Sequence, residues 1–298
     1  MKAARAAALA GAIVALGATA STQNDAPPDR DVLFEHVRDN LTRAERVVHL
    51  YAFRERRTDV HTNLFGKLGT DGTSSFEVYP SPIRRLTYRR LMARNDLPLS
   101  ARELAEQDRR YRARLADFKQ QDLAPDAEER RRLSDDPAER RSRRVNDIVA
   151  VLRFHVERRA VYKGVPAVVV SFTPRRDATP TTRHGRTAQK FAGTIWIDEA
   201  AYEVMHVEAT SIDDLSFGYG MVARLGRGVT ASFTRRPVEG GVWMPTEVTL
   251  KGRGRAAVVR KLLINYTVEW FDYRRLSGTS MAPFVDTRVY GEPHGRPE

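Results

Sequence analysis

Hydrophobic positions along the chain change their spacing in blocks, and each block predicts an element. From Asp31 to Arg46, the residues Val32, Leu33, Val37, Leu41 and Ala44 fall on one face of a 3.6-residue repeat, which predicts a helix. From Val47 the period moves toward two. Tyr51, Phe53 and Glu55 alternate with Leu50, Ala52 and Arg54 in a strand ending near Asp59. A second strand is expected over 60–68, a turn at Gly69-Thr70-Asp71-Gly72, and a returning strand over 75–79. Pro80-Ser81-Pro82 breaks that strand, and Ile83 to Met92 is strand-like again. Ser100-Ala101-Arg102-Glu103 is a capping box, in which the hydroxyl and the carboxylate each satisfy an orphan amide at a helix start. Leu104, Tyr111, Leu115 and Phe118 then share one helix face. Asp136-Pro137 starts another helix, with proline at the first helical position, and this helix carries Val145, Ile148 and Val149. Residues 100–150 are therefore read as a helical insertion. Beyond them, strands are expected at 152–162, 165–173, 193–199, 202–212, 229–236, 242–251 and 256–271. Lys163-Gly164, Asp198-Glu199-Ala200 and Glu239-Gly240-Gly241 are turns short enough to require antiparallel partners. The polar loop from Pro174 to Lys190 has a length typical of functional or disordered segments.

The N-terminal pattern is of another kind. Lys2 and Arg5 precede an uncharged apolar stretch from Ala6 to Gly17, and Ala18-Thr19-Ala20 offers a small-x-small cleavage site. The stretch is too short for a stable membrane anchor. Residues 1–20 are thus expected to be a cleaved signal peptide, 21–28 a linker and 277–298 a flexible tail. The expected location is a bacterial periplasm or the exterior, with no transmembrane anchor after cleavage.

Composition narrows the chemistry. The 298 residues contain no cysteine, which excludes disulfides, thiolate metal sites, cysteine nucleophiles and lipid-modified cysteine. The formal charge is +12, from 50 basic and 38 acidic residues, and the excess is almost all arginine. Arginines gather at 54–57, 84–90 and 175–190. Export and the absence of a known motif argue against nucleic acid as their partner. An anionic lipid surface suits them better, weighed against dispersed solubilising charge without a ligand. The seven histidines lack metal-ligand spacing and GxSxG is absent, so no catalytic residue, metal or cofactor is expected. Gly218-Tyr219-Gly220-Met221-Val222-Ala223 matches a dinucleotide fingerprint but has no βαβ setting, and reads as bends in a sheet. His206 alternates with Val204 and reads as a partly buried structural histidine.

Gly193-Thr194-Ile195-Trp196-Ile197-Asp198, followed by Tyr202-Glu203-Val204-Met205-His206-Val207-Glu208, resembles a hairpin of LolA-like periplasmic proteins, which include lipoprotein carriers and RseB-like envelope sensors. Gly241-Val242-Trp243-Met244-Pro245 is similar to a further element of that group. The resemblance covers most of residues 30–276. It implies an α+β fold, a strongly curved, unclosed antiparallel barrel with helices plugging its concave face over 29–276. It also implies a non-enzymatic protein whose cavity takes a hydrophobic or lipid-linked ligand such as a lipoprotein. An RseB-like sensor that binds an envelope protein partner is the alternative, and a periplasmic enzyme a more distant one. Trp196, Trp243, Trp270, Phe271 and Met205 are the candidate cavity wall, against the plainer reading that they are packed core.

Overall fold

The computed structural model describes residues 28–62, 68–81, 86–122, 137–217, 223–256 and 260–276. The expected signal peptide, the glycine run from 218 and the expected tail lie outside them. The strands are β1 (Tyr51–Thr62), β2 (Leu68–Tyr79), β3 (Tyr88–Arg94), β4 (Leu97–Pro98), β5 (Leu152–Tyr162), β6 (Val165–Pro174), β7 (Phe191–Asp198), β8 (Val204–Ser211), β9 (Leu215–Phe217), β10 (Ala223–Leu225), β11 (Thr230–Pro237), β12 (Trp243–Ala256) and β13 (Arg260–Arg275). The helices are α1 (Arg30–Val47), α2 (Ala101–Asp122), α3 (Pro137–Ala150) and the short α4 (Arg183–Ala188). Eleven strands form one path, β4-β3-β2-β1-β13-β12-β11-β8-β7-β6-β5, with β9 and β10 branching from β12. Every pairing is antiparallel, and the end strands β4 and β5 do not meet. The expected α+β half-barrel, curved and unclosed, is therefore the architecture of the described chain.

Register defines the two faces. Val156, Val170, Ile195, Val207, Phe233, Val248, Val268 and Arg57 stand directly opposite one another from β5 across to β1. Directly paired residues share a face, so this row marks the core face. Helix α1 covers its β5–β8 end. Asp29 caps α1 by accepting from the Asp31 and Val32 amides at 2.9 and 3.1 Å. Leu33 and Val37 are buried against Val168, Val170, Ile197 and Val204, with Phe34 and Leu41 beside them. The apolar stripe is thus centred on 33, 37 and 41. Val32, one position and about 100° away, is exposed. Asn40 ties α1 to the β7–β8 turn by donating to the Ala201 and Tyr202 carbonyls. Ile148 of α3, with Val151 and Leu152 just beyond it, packs beside α1 against Phe172 and Phe191.

Helix α2 takes the other face at the far edge. Its capping box forms as expected, with Glu103 accepting from the Ser100 amide at 2.9 Å and Ser100 Oγ accepting from the Glu103 amide at 3.3 Å. Tyr111, Leu115 and Phe118 are buried with Leu86, Tyr88 and Tyr79. Asp108 accepts from the Tyr88 hydroxyl at 2.5 Å and from both Nε and Nη2 of Arg90 at 3.0 Å. Gln107 donates to the Leu91 carbonyl at 3.0 Å and accepts from the Leu91 amide at 2.9 Å, standing in for the strand that β4 is too short to provide.

Two expectations change. The glycines at 69–72 do not form a turn but lie inside β2, where Asp71 is the extra residue of a bulge and Gly72, at φ +71°, pairs with Asp59. A glycine bulge and a glycine turn need the same backbone freedom, so composition alone does not separate them. β1 accordingly runs on to Thr62 instead of ending near Asp59. The Pro174–Lys190 loop is ordered. Asp147, at the end of α3, accepts from the backbone amides and hydroxyls of Thr181 and Thr182 at 2.6–2.9 Å. Gly185 of α4 sits against the same carboxylate, where a Cβ would come within 2.1 Å of an oxygen. Burial alone would push the Asp147 carboxyl up, but the four hydrogen bonds hold it well below the usual carboxylate range.

Candidate functional site

The core face changes character along the sheet. Over β5–β8 it is Val, Ile and Phe under helices. Over β13, β1, β2 and β3 the same alternation presents Phe53, Phe76, Trp270 and Tyr273 together with Glu55, Arg57 and Arg89. Glu55 is opposite Trp270 on one side and Phe76 on the other, and Arg89 is opposite Val78. Phe53, Phe76 and Trp270 belong to none of the four described core clusters.

Glu55 organises this patch. Its residue exposure is 2%. Arg57 Nε and Arg89 Nη2 both donate to its Oε1. Trp270 Nε1 donates to its Oε2 at 3.0 Å. The two guanidiniums lie 5.6 and 5.2 Å from the centroid of Phe76, within cation–π range. Their side chains keep 38% and 36% exposure, so the charges point outward from a buried carboxylate. Burial holds the Arg89 guanidinium below its ordinary value, Glu55 pulls it back and Arg57 pushes it down again.

A second ion pair sits where the two halves meet. Arg235 Nη1 donates to Glu203 at 2.7 Å and Nη2 to the Trp243 carbonyl at 2.9 Å, with both side chains largely buried. Burial pushes the Glu203 carboxyl up, and Arg235 only partly offsets it. Tyr273 donates to the Pro245 carbonyl at 2.6 Å and stacks obliquely on Phe53 at 5.3 Å. Burial first, then the Glu55 charge, pushes its phenol up. These contacts connect the Glu203–Arg235 pair to the Glu55 cluster.

The five aromatic and methionine residues singled out from sequence do not share one wall. Register puts Trp270 and Trp243 on the core face. It puts Trp196 and Phe271 on the opposite face, Phe271 with 42% exposure. Met205 is the buried extra residue of a bulge between Trp196 and Ile197. Trp196 instead meets Tyr162 at 5.6 Å and His206 at 5.3 Å, and His206 stacks on Tyr162. His206 also pairs with Thr234 at 2.9 Å and Glu208 at 3.2 Å, and it is buried rather than partly buried as expected. Beside this cluster a row of polar side chains, all Ser or Thr but Glu208, runs through Ser171, Thr194, Glu208, Ser232, Thr249, Thr267, Thr58 and Thr73 and crosses eight strands. A groove of about 390 Å³ runs along it between Thr194, Thr230 and Lys251. It is polar, unlike the wall expected of a lipid cavity. Among the described residues no three His, Asp or Glu side chains gather as metal ligands do.

Glu55, Arg57 and Arg89 were not candidate site residues in the sequence. The arginine runs were visible there, as the counterpart of an anionic lipid surface or as dispersed charge, but not as a cluster around one buried carboxylate. The available signal was the phase of β1, in which Glu55 and Arg57 alternate in step with Phe53.

Neither a family model nor a curated protein matches the chain. Among solved structures it is similar to a putative outer membrane lipoprotein-sorting protein domain from Vibrio parahaemolyticus, at 11% identity and a TM-score of 0.31, over 86% of this chain and 98% of that one. It is similar to a LolA superfamily protein from Nitrosomonas europaea at 9% identity and a TM-score of 0.28, over 85% and 98%. It is also similar to MucB of Pseudomonas aeruginosa, solved with MucA, at 10% identity and a TM-score of 0.23, over 83% and 99%. Solved structures similar to this chain also include a DUF1329 family protein from Desulfovibrio piger, at 12% identity and a TM-score of 0.31, over 86% of this chain and 98% of that one.

Proposed function

We propose that the chain is an exported, carrier-like protein that binds a hydrophobic or lipid-linked ligand against the β13–β1–β2 part of its core face. The observation behind this reading is the split of that face. One half is filled by α1 and α3, while the other carries Phe53, Phe76, Trp270 and Tyr273 outside every described core cluster. Large aromatic surfaces between ion pairs suit the body of an amphiphile, and each methylene removed from water contributes about 0.8 kcal/mol. The apolar stretch at 6–17 and the Ala18-Thr19-Ala20 site support export to the periplasm. No described helix is long and apolar enough to cross a membrane.

Native mass spectrometry of the protein isolated from its own envelope tests the reading, together with uptake of a fluorescent fatty acid. Bound lipid is expected, with probe uptake lowered several-fold in Trp270→Ala. Absence of both lipid and uptake would overturn it. One observation favours a protein-binding role as the second reading: α2 is fixed by Asp108 yet holds Arg102, Arg109, Arg110, Arg112 and Arg114 exposed. Crosslinking in cells that trapped one protein partner through α2, with no lipid bound, would move the reading there.

A further inference from the structure

We propose that Arg57 and Arg89 form a seat for the anionic head, a phosphate or carboxylate, of an acyl-chain ligand lying against Phe76 and Trp270. The inference rests on the binding reading above and adds the chemistry of the head group.

The geometry is that of two cations sharing one anion. Both guanidiniums donate to the same oxygen of Glu55, one through Nε and the other through Nη2. The second oxygen of Glu55 is taken by Trp270. Each guanidinium carries five N–H donors in a planar fork, so most of their donors remain beyond these two contacts. Glu55 is sealed beneath them, so no further cation can reach it from solvent, while a second anion can reach the arginines. The next carboxylate along this face of β1, Asp59, is two residues further on. Both guanidiniums lie within cation–π range of the same Phe76 ring, which keeps the two cations close together. Two adjacent forks match the oxygens of a phosphate or carboxylate, the pairing in which arginine is strongest. The like charges are held together by one carboxylate in a partly desolvated place, and a bound anion relieves that repulsion. The aromatic wall begins at the same residues, so a head group seated here would direct its chain along Phe53, Trp270 and Tyr273. Glu55 is a positioning residue in this arrangement.

Three ligands separate the possibilities in titration calorimetry with the full chain below micelle concentrations: dodecyl phosphate, dodecyl maltoside and inorganic phosphate. Dodecyl phosphate is expected to bind at least about tenfold more tightly than the neutral head on the same chain, the effect of about 1.4 kcal/mol from charge-assisted pairing. The Arg57→Gln/Arg89→Gln double variant is expected to lose that preference while still binding dodecyl maltoside. Glu55→Gln, which removes the carboxylate that holds the two guanidiniums together, is expected to narrow the preference while leaving dodecyl maltoside binding unchanged. A seat with merely structural meaning would not move these ratios. Equal binding of the two dodecyl compounds by the wild type would overturn the seat and leave the apolar binding reading standing. Failure of both to bind would overturn the two together. Inorganic phosphate binding as tightly as dodecyl phosphate would make this a free-anion site and overturn the head-group assignment. Circular dichroism checks the fold of each variant, and the wild-type comparison of heads stands even if Glu55→Gln does not fold.

Discussion

The two halves of the core face belong to different strands of one sheet and follow the same alternation, yet they do opposite things with it. Over β5–β8, direct opposition of Val156, Val170, Ile195 and Val207 makes a surface that α1 and α3 cover. Over β13, β1 and β2, the row continues into Val268, Arg57 and Ser74, and the neighbouring row carries Trp270, Glu55 and Phe76. Burying a charge without a partner costs several kcal/mol, so the second half must bring its own counter-ions, whereas the apolar row of the first needs none. The lesson is that one sheet can fill half of a face with apolar side chains under helices and set aromatic side chains among ion pairs on the other half.

Substitutions separate these roles. The largest effect is expected at the seam. Arg235→Met leaves Glu203 buried and unpaired, and should cost about 3–5 kcal/mol near neutral pH. Burial already raises the Glu203 carboxyl above its ordinary 4.5. A raised carboxyl favours the folded state only when protonated, so the deficit should shrink as pH falls toward 4.5. Urea denaturation at pH 7 and pH 5 would check this, and a deficit that grows on acidification would refute it. Next, Leu33→Ala opens a cavity under α1 and should cost about 2–4 kcal/mol, read from the same transitions. A loss below about 1 kcal/mol would mean that α1 is not what stabilises that half.

Asp147→Asn puts an amide against the four donors of Thr181 and Thr182, and should cost about 1–3 kcal/mol. Because the Asp147 carboxyl lies below its ordinary 3.8, its contribution is complete above that pH and is lost as pH falls beneath it. The variant should therefore show a flatter acid limb between pH 4 and 2 than the wild type. The smallest stability effect is expected at Arg57→Gln, within about 1 kcal/mol, since its side chain is 38% exposed. A melting point within a few degrees of wild type, alongside a changed ligand preference, would sharpen the contrast between the two halves.

Much of the architecture could be read from residue order. Short turns such as Lys163-Gly164 force antiparallel neighbours, and β5 to β8 lie close to their expected bounds. The Ser100–Glu103 box fixes where α2 begins because its bonds are local. The site was not legible in the same way, for two reasons. Bulges between Ala52 and Arg54, Trp196 and Ile197, and Thr234 and Arg235 reset the alternation, so sequence parity does not tell which face a tryptophan takes. Glu55 and Arg89 meet through a register set by strand pairing, which no local pattern encodes.

Helix α2 does more than cover Tyr88. Through Gln107 it satisfies the amide and carbonyl of Leu91 on a strand that otherwise ends the sheet. An unpaired strand margin is a template for another chain, and this side-chain amide occupies it. Detaching α2 would consequently alter the molecule's solubility and self-association, not only its melting behaviour.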